Sequence, residues 1–292
     1  MFLIGENINI MSKTIGPAMK ERNPGPIQEL ALAEAAAGVD YLDLNIGPAR
    51  KDGDKLMEWI VDTVQKVTNT PLSLDTTNTV AMEAGLKVCK SKALLNSISL
   101  QPARLEAELP MVKKYNASMI GLLWGVDGMP RDANERCALA VELIYKANEM
   151  GIANEDIWID PIVSPISVEI NQVKACVEFM SMLSEIAPGC KSIVGLSNIS
   201  NGAPANLRPY LNRTYLAMLM KHGLHSAIVD AFDAELIKMA KGGMPEILNL
   251  VWRMMDGEEP DFASLDSKEL EYAKTVRVLT GQSLYSQSWL EI

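Results

Sequence analysis

The residues of this chain best suited to chemistry are carboxylates and carboxamides: Glu6, Asn7, Asp43, Asn45, Asp75, Asn96, Asp160, Asn198 and Asp230. Each closes or closely follows a short apolar run. A carboxylate accepts two N–H bonds from one planar partner, whereas a carboxamide donates to a carbonyl and accepts from an N–H. Gathered at one place, they suit a flat heterocycle with an amino-pyrimidinone edge. Singly, each has a simpler account, because Asp or Asn after a strand often caps the next helix, as Asp75 ahead of Thr76-Thr77-Asn78 is placed to do.

Other chemistries lack their parts. His222 and His225 fall between a predicted seventh helix and eighth strand, far from the polar ends of the runs, which argues against a His base, a His-rich metal site or a catalytic triad. Gly195-Leu196-Ser197-Asn198-Ile199 has Ile where a nucleophile elbow needs its second Gly, and neither GxGxxG nor GxxxxGK[ST] occurs. Divalent metal binding is disfavoured because the set is as rich in Asn as in Asp. Cys89, Cys137, Cys176 and Cys190 are too scattered for a CxxC pair and read as core thiols.

The elements that must position these groups follow from the apolar runs: Phe2 to Glu6, Val39 to Asn45, Pro71 to Asp75, Ala93 to Ser97, Ser118 to Trp124, Ile157 to Pro161, Ser192 to Asn198 and Ser226 to Asp230. Their ends, Asn7, Asn45, Asp75, Asn96, Trp124, Asp160, Asn198 and Asp230, are separated by 38, 30, 21, 28, 36, 38 and 32 residues. Each spacing fits strand, loop, helix and loop, so the chain is read as an α/β protein, a (β/α)8 TIM barrel. Leu56, Trp59, Ile60, Thr63, Val64 and Val67, and again Ala140, Leu143, Ile144 and Ala147, carry helical periodicity. Gly38, Gly151 and Gly223 mark helix ends. In a barrel of this kind the polar strand ends collect at the C-terminal mouth, where barrel enzymes keep their sites.

A helix over Ala234 to Lys241 completes the eighth unit, and Gly242-Gly243 is read as a hinge. Beyond it lies a C-terminal helical extension, with helices expected over Pro245 to Met255 and Lys268 to Thr280. The division is thus a barrel over 1–242 and an extension over 243–292, packed on the barrel or at a subunit interface. Ile247, Leu250, Val251 and Met254 form one apolar stripe, with Trp252 and Trp289 nearby, and the need to cover it points to a homodimer. With 27 Lys and Arg against 37 Asp and Glu, the net charge of -10 argues against nucleic acid and anionic lipid as partners. The absence of any apolar run of membrane-spanning length or basic leader fits a cytoplasmic protein.

A pterin has the edge described above, and the motifs carry a resemblance to match. Gly5-Glu6-Asn7-Ile8-Asn9, Asp43-Leu44-Asn45-Ile46-Gly47-Pro48, Leu74-Asp75-Thr76-Thr77-Asn78, Leu95-Asn96-Ser97, Ile159-Asp160-Pro161 and Gly195-Leu196-Ser197-Asn198 resemble, in order and spacing, the pterin-binding methyltransferases, a family related to dihydropteroate synthase. The resemblance covers roughly residues 1–242. It implies that Asp75, Asn96 and Asp160 hold the pterin's pyrimidine edge. Asn198 would then be the catalytic residue, approaching the ring nitrogen that exchanges the methyl group. Glu6, Asp43, Asn45, Gly195, Ser197 and Arg208 would complete the pterin or folate site, with no metal.

The implied reaction moves a methyl group between tetrahydrofolate, or methyltetrahydrofolate, and the cobalt of a corrinoid. No DxHxxG-type cobalamin module is present, so the corrinoid is expected on a partner protein. The reaction is expected in anaerobic one-carbon metabolism or an O- or N-demethylase system, and the long C-terminus points to the demethylase system. The alternative is a methyltetrahydrofolate:corrinoid iron-sulfur protein methyltransferase of acetyl-CoA synthesis. Dihydropteroate synthase itself commonly has a Lys-Gly run near strand seven, absent here; a non-catalytic folate-binding subunit would not need Asn198.

Overall fold

A computed structural model describes residues 1–291 of the chain. Eight parallel strands close into a barrel in sequence order: β1 (Phe2–Gly5), β2 (Tyr41–Asn45), β3 (Leu72–Asp75), β4 (Leu94–Ser99), β5 (Ser118–Leu122), β6 (Ile157–Asp160), β7 (Lys191–Gly195) and β8 (Ser226–Val229). The expected TIM barrel is present; six of the predicted runs contain their strands, while β4 runs two residues past the expected Ser97 and β7 starts one residue before the expected Ser192. Around it lie α1 (Ile15–Glu21), α2 (Pro24–Ala37), α3 (Gly53–Gln65), α4 (Thr79–Val88), α5 (Pro102–Lys114), α6 (Ala133–Glu149), α7 (Ile170–Ile186), α8 (Arg208–Lys221) and α9 (Ala234–Ala240).

Strand alternation explains both the lumen and the site. Successive side chains point to opposite faces, so every second residue enters the barrel. Ile4, Leu94, Ile120, Trp158 and Ile193, with Tyr41 and Ile228 against them, form an apolar plug separate from the main core. Two residues further along the same strands come Glu6, Asn96, Leu122, Asp160, Gly195, Asp43 and Asp230. Below the plug, Phe2 stacks on His225 at 5.0 Å between ring centroids, and Trp158 meets His225 edge-on at 5.2 Å. His225 therefore lies at the opposite end of the barrel from the carboxylate ring.

Outward-facing strand residues pack against the helices, where Leu56, Ile60 and Val64 of α3 and Ala140, Leu143 and Ala147 of α6 are buried as their periodicity requires. Gly38, Gly151 and Gly223 have φ of 96°, 75° and 74°, the left-handed geometry that lets a helix stop and turn. The Gly242-Gly243 pair is a cap rather than an open hinge. Gly242 N–H donates to Met239 O and Gly243 N–H to Lys238 O, both at 2.9 Å, which is the paired closure of a Schellman turn.

The extension folds back on the barrel as α10 (Pro245–Met255) and α11 (Ser267–Leu279). Helix α10 lies on α8, and α11 on α7, α8 and α10. Trp252 Nε1 donates to Ala217 O of α8 at 2.8 Å, Lys221 Nζ returns a bond to Trp252 O at 2.8 Å, and Trp289 Nε1 donates to Thr275 Oγ1 at 3.0 Å. Ile247, Leu250, Val251 and Met254 are all buried within the single chain. The expected homodimer rested on that stripe needing outside cover, and the chain's own α8 and α11 supply it.

Candidate active site at the barrel mouth

Four of the predicted residues are joined in two pairs by hydrogen bonds between strands. Asp43 Oδ1 accepts from Ser73 Oγ at 2.6 Å and from Asn96 Nδ2 at 3.1 Å, linking β2, β3 and β4 beneath the mouth. Asn45 Nδ2 donates to Asp75 Oδ2, its register partner on β3, while Asn45 Oδ1 accepts from Gly47 N–H at 3.0 Å. Asp75 does not cap α4. Asn78 takes that task, accepting from Val80 and Ala81 N–H at 3.0 and 3.2 Å, which leaves the Asp75 carboxyl at the mouth.

On the far side, Glu6 Oε1 accepts from Ser197 Oγ at 2.6 Å, and Asn7 Nδ2 donates to Asp230 Oδ1 at 2.8 Å. Strand β7 ends at Gly195, three residues before the expected Asn198, because the chain winds into a 3-10 turn over Leu196–Ser200. That turn carries Asn198 to the exposed rim, and its carboxamide makes no hydrogen bond among the described residues. A Cβ at Gly195 would sit 3.1 Å from Asn198 Nδ2, so Gly195 gives the carboxamide room to fold back over the strand end. Arg208 Nε donates to Ser200 Oγ at 3.1 Å, and Ser200 Oγ to Ser197 O at 3.2 Å, bracing the same turn from α8.

Asp160 bonds to none of the other predicted residues. Its Oδ1 accepts from Ile162 N–H at 2.8 Å, and Ile162 is held at φ 67°, an unusual conformation for a β-branched residue. Beneath this loop Arg136 is fully buried, with Nε on Pro161 O at 2.8 Å, Nη1 on Asp132 O at 3.2 Å and Nη2 on Gln172 Oε1 at 2.7 Å. Arg104 serves the opposite side: Nη1 donates to Thr77 O at 2.7 Å, Nη2 to Ser97 O at 2.9 Å, and the buried Glu108 pairs with it at 2.9 Å. The C-terminal ends of β3 and β4, which carry Asp75 and Asn96, are thereby tied together.

Burial dominates the electrostatics. It raises the Asp160 carboxyl to about 6, against hydrogen bonding from Ile162 N–H and the nearby Arg136 charge. Asp43 is likewise raised to about 6 by burial, opposed by its bonds from Ser73 and Asn96. Asp75 lies well above the usual carboxylate range, through burial and then the Asp43 charge. Burial also raises Glu34 of α2 to about 8; its Oε1 accepts from Asn7 N–H at 3.0 Å. The thiols are no nucleophiles: burial pushes Cys89 up to about 12, and Cys176 and Cys190 to about 11. Among the described residues no group of three or more His, Cys, Asp or Glu is placed to hold a metal ion.

Sequence reasoning missed Glu34, Arg104, Glu108 and Arg136. Three of them break an otherwise apolar helix stripe: Glu34 with Ile27 and Ala31, Glu108 with Leu105, Leu109 and Val112, and Arg136 with Ala133, Ala140 and Leu143. A charge on the buried face of a helix needs a buried partner, and that was the available signal.

The profile of the family described as "Pterin binding enzyme" matches residues 14–230, running from the β1–α1 loop to the residue after β8. The chain belongs to the pterin-binding enzyme family. The pterin-binding match ends before α10 and α11, which lie outside it. A methylcorrinoid:tetrahydrofolate methyltransferase of Eubacterium limosum is 27% identical over 239 residues, covering 81% of this chain and 88% of that one. A methionine synthase of Mycobacterium tuberculosis is 26% identical over 242 residues, 79% of this chain but only 20% of that much longer protein. Among solved structures, dihydropteroate synthases of Thermus thermophilus and Clostridium difficile share the fold, with TM-scores of 0.62 and 0.65 at 19% and 17% identity. They cover 84% of this chain, and the aligned part is 93% and 96% of theirs.

No helix among the described residues is long and apolar enough to cross a membrane.

Proposed function

We propose that this pterin-binding enzyme transfers a methyl group from a methylated corrinoid protein to the ring nitrogen of tetrahydrofolate. The observation that carries this reading is the exposed Asn198 carboxamide, without a side-chain partner among the described residues, at a mouth lined by the half-buried, hydrogen-bonded carboxylates of Glu6, Asp75 and Asp160. The donor set fits a pterin. Asp75 and Asp160 offer acceptors to its amino and ring N–H groups, and Asn96, held by Asp43 through Nδ2, keeps its carbonyl oxygen for the same edge. The Eubacterium limosum relative, similar over most of both chains, supports the methyl-transfer reading over the other family chemistries.

The chain's own contribution is positioning and charge stabilisation. Asp75, Asn96 and Asp160 fix the pterin, and the open mouth admits the second reactant in line with the ring nitrogen. Asn198 turns its amide to donate to the nitrogen's lone pair or to accept from its protonated form, so it stabilises the charge that changes during transfer. A single preorganised donor of this kind is worth about 2.7–4 kcal/mol. The cobalt of a corrinoid on the partner protein supplies the chemistry of methyl exchange. No covalent enzyme intermediate is required, in keeping with thiols whose ionisation burial pushes upward.

The place of use is an O- or N-demethylase system or anaerobic one-carbon metabolism, with the barrel over 1–242 carrying the site and 243–292 serving as its buttress. Dihydropteroate synthase activity is the contrasting outcome, and Gly195-Leu196-Ser197-Asn198 offers no lysine for it. Calorimetric titration separates the two. Tetrahydrofolate should bind, and a pterin pyrophosphate should release no pyrophosphate on the enzyme; release of pyrophosphate with no tetrahydrofolate binding would reverse the assignment.

A further inference from the structure

Resting on that reading, transfer to the folate amine leaves one proton to be removed, and the mouth contains a route for it. Glu6 directly follows β1 and is the next inward position after Ile4, so its carboxyl rises from the apolar plug into the mouth. Ser197 immediately precedes Asn198 in the 3-10 turn, and its hydroxyl donates to Glu6 Oε1 at 2.6 Å. The backbone beside Glu6 is fixed by Asn7 N–H bonding to Glu34 Oε1 at 3.0 Å.

We propose that Glu6, acting through the Ser197 hydroxyl, takes the proton from the folate ring nitrogen during methyl transfer and returns it in the reverse direction. As the nitrogen lone pair forms the new N–C bond, the electron pair that held the methyl stays with cobalt. The N–H proton then moves to Ser197 Oγ while the hydroxyl's own proton passes to Glu6 Oε1. Charge and atoms balance, and no further reactant is consumed. In this scheme Ser197 touches the substrate and Glu6 is the group behind it.

The surroundings suit a proton acceptor stronger than an ordinary carboxylate. Burial raises the Glu6 carboxyl, the Ser197 bond lowers it, Asp230 after β8 raises it and Arg208 of α8 lowers it, with a net upward shift. Glu34 of α2 and Asp43 of β2 are the other titratable groups whose charges couple with it. A raised acceptor gives up less driving force when it takes a proton from an amine.

Glu6→Gln is the discriminating variant, because its amide oxygen still accepts from Ser197 but cannot take a proton. With methylcobalamin as donor, the rate of transfer to tetrahydrofolate should fall about 100-fold, while folate affinity falls far less. In the wild type the rate should rise with pH as Glu6 ionises, and that acid limb should vanish in the variant. Ser197→Ala should lose a similar factor, and the double variant should be no slower than either single one. A readout without corrinoid is the NMR titration of bound methyltetrahydrofolate labelled with 13C in its methyl group, where the amine's protonation midpoint should drop in Glu6→Gln. If Glu6→Gln fails to fold, Ser197→Ala carries the same test.

A wild-type rate and pH profile in Glu6→Gln, or losses that multiply in the double variant, would overturn the relay while leaving the methyl-transfer reading intact. A wild-type enzyme that neither binds folate nor transfers methyl would remove both.

Discussion

Asn96 donates from Nδ2 to Asp43 Oδ1 at 3.1 Å, and the same carboxylate oxygen takes the Ser73 hydroxyl at 2.6 Å. Asp43 is 3% exposed, so it works beneath the mouth as the anchor of Asn96 rather than as a group open to solvent. Removing it in Asp43→Ala leaves the buried Ser73 hydroxyl unmatched, at about 1–3 kcal/mol, and frees the half-buried Asn96 carboxamide. The expected outcome is a lower melting temperature together with about ten-fold weaker folate binding. Thermal melts and calorimetry on the same preparation check it, and normal affinity in a destabilised variant would confine Asp43 to the fold.

On the proposed reading Asp160 sets a pH dependence. There it binds the pterin edge as a carboxylate, and its raised value of about 6 means that protonation competes with the ligand just below neutrality. Folate affinity should therefore fall as pH drops from 7 to 5, with protons released on binding at the acid end. Asp160→Ala should weaken binding about ten-fold or more, and Asp160→Asn should flatten part of the slope. Calorimetry at three pH values in two buffers reads both; a variant with wild-type affinity removes Asp160 from the site.

Asn198→Ala separates chemistry from binding. An interaction that strengthens as charge changes on the ring nitrogen lowers rate more than affinity when it is lost. Methyl transfer should slow by about 100-fold or more, in line with the loss of one preorganised donor, while the folate dissociation constant changes by only a few-fold. Equal losses in both would reduce Asn198 to a pocket residue.

Glu34 makes stability pH-dependent in a specific direction. Its folded-state value of about 8 lies above the 4.5 of a free Glu, so between those limits the folded state binds more protons than the unfolded one. Its contribution is fully present below 4.5 and is lost as pH rises through about 8. The melting temperature of the wild type should fall from pH 5 to pH 9 relative to Glu34→Gln, which keeps the acceptor for Asn7 N–H without the ionisation. Gly5→Ala should destabilise at every pH, because its Cβ would meet Glu34 Oε1 at 2.5 Å. Parallel melting curves for wild type and Glu34→Gln would show that Glu34 is not the titrating group.

The barrel was legible because its signals are local and repeated. Ile4 to Glu6, Leu94 to Asn96 and Trp158 to Asp160 each change from apolar to polar two residues apart on one strand face, so strand identity and site position came from the same pattern. The mouth residues followed for that reason, including Asp75, although its capping alternative fell to Asn78 only when the helix start was seen. What stayed hidden depends on distant partners. Arg136 and Glu34 break helix stripes, yet nothing in the sequence says that one reaches Pro161 O and the other Asn7 N–H. The stripe of α10 was read correctly as needing cover, but helical periodicity cannot tell an intramolecular wall from a second chain.

The central claim is methyl transfer at this mouth. Under strictly reducing conditions and without oxygen, purified full-length protein is mixed with methylcobalamin and tetrahydrofolate, and the loss of the methylcobalamin spectrum is followed while methyltetrahydrofolate is measured in the quenched mixture. The account predicts equal amounts of methylcobalamin consumed and methyltetrahydrofolate formed, at a rate proportional to enzyme and about 100-fold lower in Asn198→Ala. Tetrahydrofolate that binds but receives no methyl group, from methylcobalamin or from a methylated corrinoid protein, would contradict it.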